Sequence, residues 1–293
     1  MLWILMTVAA APLQVARNAL QRGLVGEGGP WGATLVRFLF GLPFSLAVFG
    51  IVALATPGAQ AHLSDRFLIA VGIGALTQIA ATAALLMAMR SSGFAVATFT
   101  QQSSLPLGAL LGVVGFGDRL TSRQALGVVI TTAALLVLCW PRKVRAAGAT
   151  AGSFYGLAAG VAFAVNLNAY RQAGLALEPA HPIYSAVAAV CAAQTFQSVL
   201  MVLVLAVFSP AVLHAIRRSW RASLGAGFFG AAASVCWFVA LALAPVGQVR
   251  AVGVIEGPVA AAVGRRLFKE RLTLVQALGG ALAAVGVIMT ALA

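Results

Sequence analysis

Of the six acidic residues in the 293-residue chain, Glu27, Asp65, Asp118, Glu178 and Glu270 fall in breaks between apolar runs, and Glu256 alone falls inside one, at 249–263. A carboxylate in the middle of a membrane span costs roughly 2.5–3.5 kcal/mol on insertion scales and marks a functional site by default. Gly257-Pro258 follows it directly, which loosens helical hydrogen bonding and frees carbonyls upstream. Two roles fit Glu256: a proton acceptor or anchor for a substrate amine, and a structural partner for a nearby arginine, Arg250 or Arg37. A second polar patch, Thr100-Gln101-Gln102-Ser103-Ser104, lies before Pro106 at comparable depth. Gln101 and Gln102 there are candidates for hydrogen bonding to substrate, with interhelical packing as the competing role. Asn166 and Asn168, with Asn18 and Gln14, supply both donors and acceptors, with interhelical packing as the competing role, and Gln78 is a further polar candidate. Tyr155, Tyr170, Trp237 and Phe163 are able to line a cavity, with headgroup anchoring the favoured role for Tyr155 and Tyr170. Arg17, Arg37 and Arg90, near span ends, are explained by snorkelling to the interface.

The elements that must position these residues follow from composition. The chain is 61% apolar and only 9% charged, against about 25% charged in a soluble domain. No water-soluble fold hides that much apolar surface. Spanning helices of about 20 residues make room for around ten crossings and no sizeable soluble domain. Apolar runs place them at 2–21, 31–54, 67–89, 94–115, 122–140, 152–172, 183–208, 222–243, 248–266 and 273–292. The fold class is therefore all-α integral membrane, in the cell (inner) membrane. The net charge of +13 sits mostly in short loops at helix ends, not in a stripe, so nucleic acid is not a partner. Cys139, Cys191 and Cys236 lie in apolar runs without metal-ligand spacing and read as buried free thiols. No metal-helix His/Glu pair, phosphate-cradling loop or serine-nucleophile motif occurs, so neither cofactor nor enzymatic activity is expected. The partners expected are a small-molecule substrate, the bilayer and, as a candidate coupling ion, protons; a monomer is compatible with this.

The chain also repeats itself. Asp118-Arg119-Leu120-Thr121 recurs as Glu270-Arg271-Leu272-Thr273, and Gln124-Ala125-Leu126-Gly127 as Gln276-Ala277-Leu278-Gly279. The same offset places Pro106 on Pro258, the two expected helix breaks, and Gly112 on Gly264. The halves are 1–145 and 150–293, each with five spans. An odd count sends the second copy into the membrane from the opposite side, the inverted repeat of many secondary transporters, with a central cavity at the repeat interface.

Leu35-Val36-Arg37-Phe38, together with the paired Pro-to-acidic-Arg-Leu-Thr segments, resembles the EamA family of the drug/metabolite transporter superfamily. The resemblance covers nearly the whole chain. It implies ten helices in a basket around a central cavity, alternating access, and export of small metabolites or amino acids, often linked to protons. It also implies cytoplasmic termini, whereas the distribution of Lys and Arg among the loops places both termini outside. The family's glycine before the acidic residue is present as Gly117 but replaced by Lys269 in the second copy. Alternatives from the same fold are carriage of drugs, nucleosides or other solutes; alternatives from other classes are a passive channel and a membrane-embedded enzyme.

Overall fold

A computed structural model describes residues 1–139, 147–269 and, near the C-terminus, 278, 279, 281, 282, 285, 286, 288 and 289. Among the described residues all regular structure is helical. In chain order the elements are α1 (Leu2–Leu39), α2 (Leu42–Ala55), α3 (Asp65–Ser92), α4 (Phe94–Gln101), α5 (Ser104–Phe116), α6 (Ser122–Cys139), α7 (Ala147–Ala176), α8 (Pro182–Phe208), α9 (Pro210–Arg218), α10 (Trp220–Leu243), α11 (Val246–Gly253) and α12 (Glu256–Phe268). Among the described residues five helical stretches are long and apolar enough to cross a membrane: Leu2–Ala55, Asp65–Ser92, Pro182–Phe208, Trp220–Leu243 and Val246–Phe268. The chain is an all-α membrane protein. The expected segment 273–292 and the motif Glu270–Thr273 lie largely or wholly outside the described residues.

Helix ends follow local chemistry. Gly29, at φ 65° and ψ 179°, interrupts α1, and Pro30 restarts it with the fixed φ a first helical turn needs. The Glu27-Gly28-Gly29-Pro30 break is thus a sharp bend, and helix continues well past residue 21. Ser64 caps α3 by accepting from the Phe67 amide at 3.2 Å, and Gly93, at φ 90°, ends it. Between α8 and α10 lies a helix the hydropathy pattern did not announce. In α9, Val212 and Ile216 press on the Gly28 and Gly32 face of α1, while Arg217 and Arg218 occupy the last turn.

Two elements are built alike. α4 and α11 begin at Phe94 and Val246, and α5 and α12 at Ser104 and Glu256, so both pairs share an offset of 152 residues. At each break the helix tightens to 3₁₀-type bonds: Ser103 N–H donates to Thr100 O and Leu105 N–H to Gln102 O, matched by Ile255 to Val252 and Gly257 to Val254. The prolines one residue on, Pro106 and Pro258, have no N–H with which to restore the α pattern. Both second helices end on a left-handed residue, Gly117 at φ 69° and Lys269 at φ 55°, whose amides donate to Gly112 O and Gly264 O. Lys269 keeps the glycine's conformation despite its side chain.

The two halves of the sequence do not form separate bodies. α1 packs along α10 and α3 along α7, while α11 lies on α5 and α12 on α4. Close approaches depend on missing side chains: a Cβ on Gly74 would sit 2.4 Å from the Tyr170 ring. The buried apolar residues group between these crossings, and the faces of α2, α3 and α8 turned outward carry Ile51, Leu54, Leu68, Ile69, Leu203 and Val207. Such a surface suits acyl chains.

Candidate substrate cavity

The broken helix α11–α12 places Glu256 at the start of its second segment, fully buried. Its Oε1 accepts from Gln14 Nε2 at 2.5 Å and lies 3.7 Å from Arg250 Nη1; its Oε2 accepts from Gln102 Nε2 at 3.3 Å. Arg250 also donates from Nη2 to Gln102 Oε1 and places its guanidinium 5.2 Å from the Trp237 ring centre. Trp237 Nε1 donates to Gln14 Oε1 at 2.8 Å, which closes the circuit. Arg250 and Glu256, six residues apart, would point from different faces of a regular α-helix; the 3₁₀ tightening between them turns both inward. Gly253 makes room, since a Cβ there would stand 2.5 Å from the indole. Of the two roles the sequence allows Glu256, the geometry displays the pair with Arg250, not with Arg37.

Beside this circuit is a small hollow between α1, α3, α4, α7, α10 and α11, with room for about one water molecule in this state. Its polar wall is Gln14, Arg37, Gln78, Gln101, Asn166 and Ser234; Phe163, Tyr170, Trp237 and Phe238 supply the apolar wall. All of these are buried. Four of the eight residues singled out from sequence, Gln78, Gln101, Asn166 and Trp237, therefore meet at one hollow. Glu256 and Gln102 stand behind its wall, bonded to each other.

The other two go elsewhere. Asn168 donates to Gly108 O at 3.0 Å and Ala164 O at 2.9 Å, holding α5 against α7. Asn18 accepts both Nε and Nη2 of Arg17, at 3.1 and 2.6 Å. Pro106 and Pro258 lie inside the first turns of α5 and α12, just after the breaks.

Three sequence expectations are corrected. Arg17 and Arg37 do not snorkel: both are buried, and only Arg90 of the three is exposed. Arg37 donates to Thr82 Oγ1 at 2.9 Å and Ser234 Oγ at 3.4 Å, both uncharged. Arg17 was misplaced because α1 continues past residue 21, which moves it from a span end to a helix interior. Tyr170 is no headgroup anchor: its hydroxyl donates to Gln78 Oε1 at 2.8 Å, an oxygen that also receives Gln197 Nε2 at 2.8 Å. Cys236, read as buried, is half-buried, whereas Cys191 is buried; both are free. Ser234, Gln197 and Phe238 escaped notice, since one hydroxyl, amide or ring in an apolar span carries no direction.

Outside the cavity, Asp118 accepts Arg171 Nε and Nη2 at 3.2 and 3.1 Å, and Arg171 Nη1 donates to Leu241 O and Ala244 O. The first copy of the repeated acidic motif thus ties the α5–α6 turn to the C-terminal ends of α7 and α10.

No family model matches the chain, and no curated protein matches it. A solved structure, described only as the crystal structure of a protein, is similar to it with a TM-score of 0.66 at 20% identity, over 98% of this chain and 98% of that one. At that identity the likeness concerns the fold alone.

Proposed function

We propose that this chain is a secondary transporter of the cell (inner) membrane, exporting small polar or amphipathic metabolites, amino acids foremost, by alternating access, with protons as a candidate coupling ion. The observation that carries the reading is the polar lining: buried Gln14, Arg37, Gln78, Gln101, Asn166 and Ser234 converge on one small hollow inside a chain whose exterior is apolar. Polar walls around a hollow within a membrane bundle are costly unless a polar solute or water uses them.

The duplicated breaks support an arrangement of ten spans in two inverted five-helix units. Under the exchange of α1 with α7, α3 with α10, α4 with α11 and α5 with α12, the α1–α10 packing becomes α7–α3, and the α11–α5 packing becomes α4–α12. Paired contacts of this kind are what a twofold relation between halves produces. Broken helices at the centre of such folds form the substrate site, and rocking of one unit on the other exposes it to each side in turn. The resemblance to the EamA family points the same way.

Counterflow in reconstituted vesicles tests the proposal. Vesicles preloaded with an unlabelled solute, from a panel of amino acids, nucleosides and sugars, should transiently accumulate the labelled form with saturable kinetics. Flux that neither saturates nor responds to a competing solute identifies a channel instead, and no flux with any member of the panel removes the carrier reading.

A further inference from the structure

The charge balance inside the bundle points to the class of ligand. Among the described residues four charged side chains are buried at the core: Arg17, Arg37, Arg250 and Glu256. Three guanidinium groups therefore share one carboxylate, and that carboxylate is committed to Arg250, Gln14 and Gln102. Arg17 lies within charge–charge range of both Arg37 and Glu256, so the excess is concentrated in one place. Arg37 lines the cavity and meets only hydroxyl groups there; its Nε is a buried donor with no acceptor among the described residues. Asn166 Nδ2, also at the cavity wall, is a second buried donor without an acceptor among the described residues. A cation finds nothing equivalent. Glu256 does not face the hollow, and the Trp237 ring is already covered by Arg250.

We infer that the hollow, once widened from this closed state, takes an organic anion: an amphipathic molecule whose carboxylate sits against Arg37 and Asn166, with its apolar body among Phe163, Trp237 and Phe238. The identity of this molecule as cargo rests on the transport reading above; its charge does not. A guanidinium out of water without a counter-charge is unfavourable, and a carboxylate presented to its fork forms paired charge-assisted hydrogen bonds. An amino-acid zwitterion satisfies Arg37 but leaves its ammonium without a carboxylate, so within the metabolites proposed above the site ranks anions ahead of amino acids, and zwitterions ahead of amines.

The test uses one apolar body with three charges: indole-3-acetate, tryptophan and tryptamine, titrated calorimetrically into the purified full-length protein in lipid nanodiscs. Indole-3-acetate should bind at least about tenfold more tightly than tryptophan, and tryptamine should not bind measurably. Arg37→Gln should abolish the preference for the anion, and Arg37→Lys should keep part of it. Without ligand, R37Q should melt at or above the wild-type temperature, because it removes an uncompensated charge; an arginine serving only the fold would lower it. Equal or tighter binding of tryptophan or tryptamine, unchanged anion binding in R37Q, or no binding by any of the three at millimolar concentration overturns the proposal. Arg37-dependent binding of indole-3-acetate without counterflow leaves this inference standing and removes the transport reading. Counterflow of zwitterions that R37Q does not alter leaves the carrier and removes the anion site.

Discussion

Removing the carboxylate of Glu256 and removing the guanidinium of Arg250 should not cost the same. In Glu256→Gln, among the described residues, three buried arginines face no buried carboxylate, and Arg250 keeps only Gln102 and the Trp237 face as partners. Breaking a buried pair in this way costs about 3–5 kcal/mol, most of it the penalty of the stranded charge. In Arg250→Gln, Glu256 keeps its bonds from Gln14 and Gln102 and still lies within range of Arg17. Roughly half the loss is expected there, about 2 kcal/mol. The double variant strands neither partner, so it should recover at least 1.5 kcal/mol or so relative to the sum of the single losses. Thermal melting of the purified protein in one detergent, with the four proteins side by side, reads this directly. On the soluble-domain scale, Glu256→Gln should melt on the order of 6–10 °C below wild type. Losses that simply add, or a larger loss for Arg250→Gln, would refute the reasoning about the pair and about the excess of positive charge.

Two further outcomes follow from backbone and packing. Lys269→Gly places a residue at φ 55° that adopts it without strain, so melting should rise, by about 1 kcal/mol in stability, with transport unchanged; a fall in counterflow with intact melting would show that the lysine itself is needed. Gly253→Ala drives a methyl to within 2.5 Å of the Trp237 ring, which should cost about 1–3 kcal/mol and weaken ligand binding as the indole moves off Gln14. Wild-type melting and binding in that variant would mean the indole is not held as described.

What could be read in advance, and what could not, divides along a physical line. Hydropathy and prolines fix position along the membrane normal, so the interiority of Glu256 and the interruptions before Pro106 and Pro258 were legible. Direction around a helix axis is not encoded when every face is apolar. Arg37 illustrates this: six residues inside an apolar run, a long side chain can reach the interface or turn inward, and only the hydroxyls of Thr82 and Ser234 across the bundle decide it. Tyr170 turns on the same point, since Gln78 and Gln197 come from helices distant in sequence. The Arg250–Glu256 pair was open to anticipation as one of two options, because a tightened turn brings residues six apart to one side. The helix α9 was hidden for another reason: nine residues ending in Arg217-Arg218 look like a charged break unless the Val212 and Ile216 spacing is set against the glycines of α1.

Alternation of the cavity between the two faces of the membrane is the claim on which the functional account stands. Leu167 lines the cavity without any side-chain hydrogen bond to lose. In a protein with Cys139, Cys191 and Cys236 replaced, Leu167→Cys should react with a membrane-impermeant thiol reagent from each side of sealed vesicles, and saturating solute on one side should slow modification from the other. Equal modification from both sides that no solute alters would contradict alternating access, and a thiol that never reacts from either side would mean that the hollow does not open to water at all.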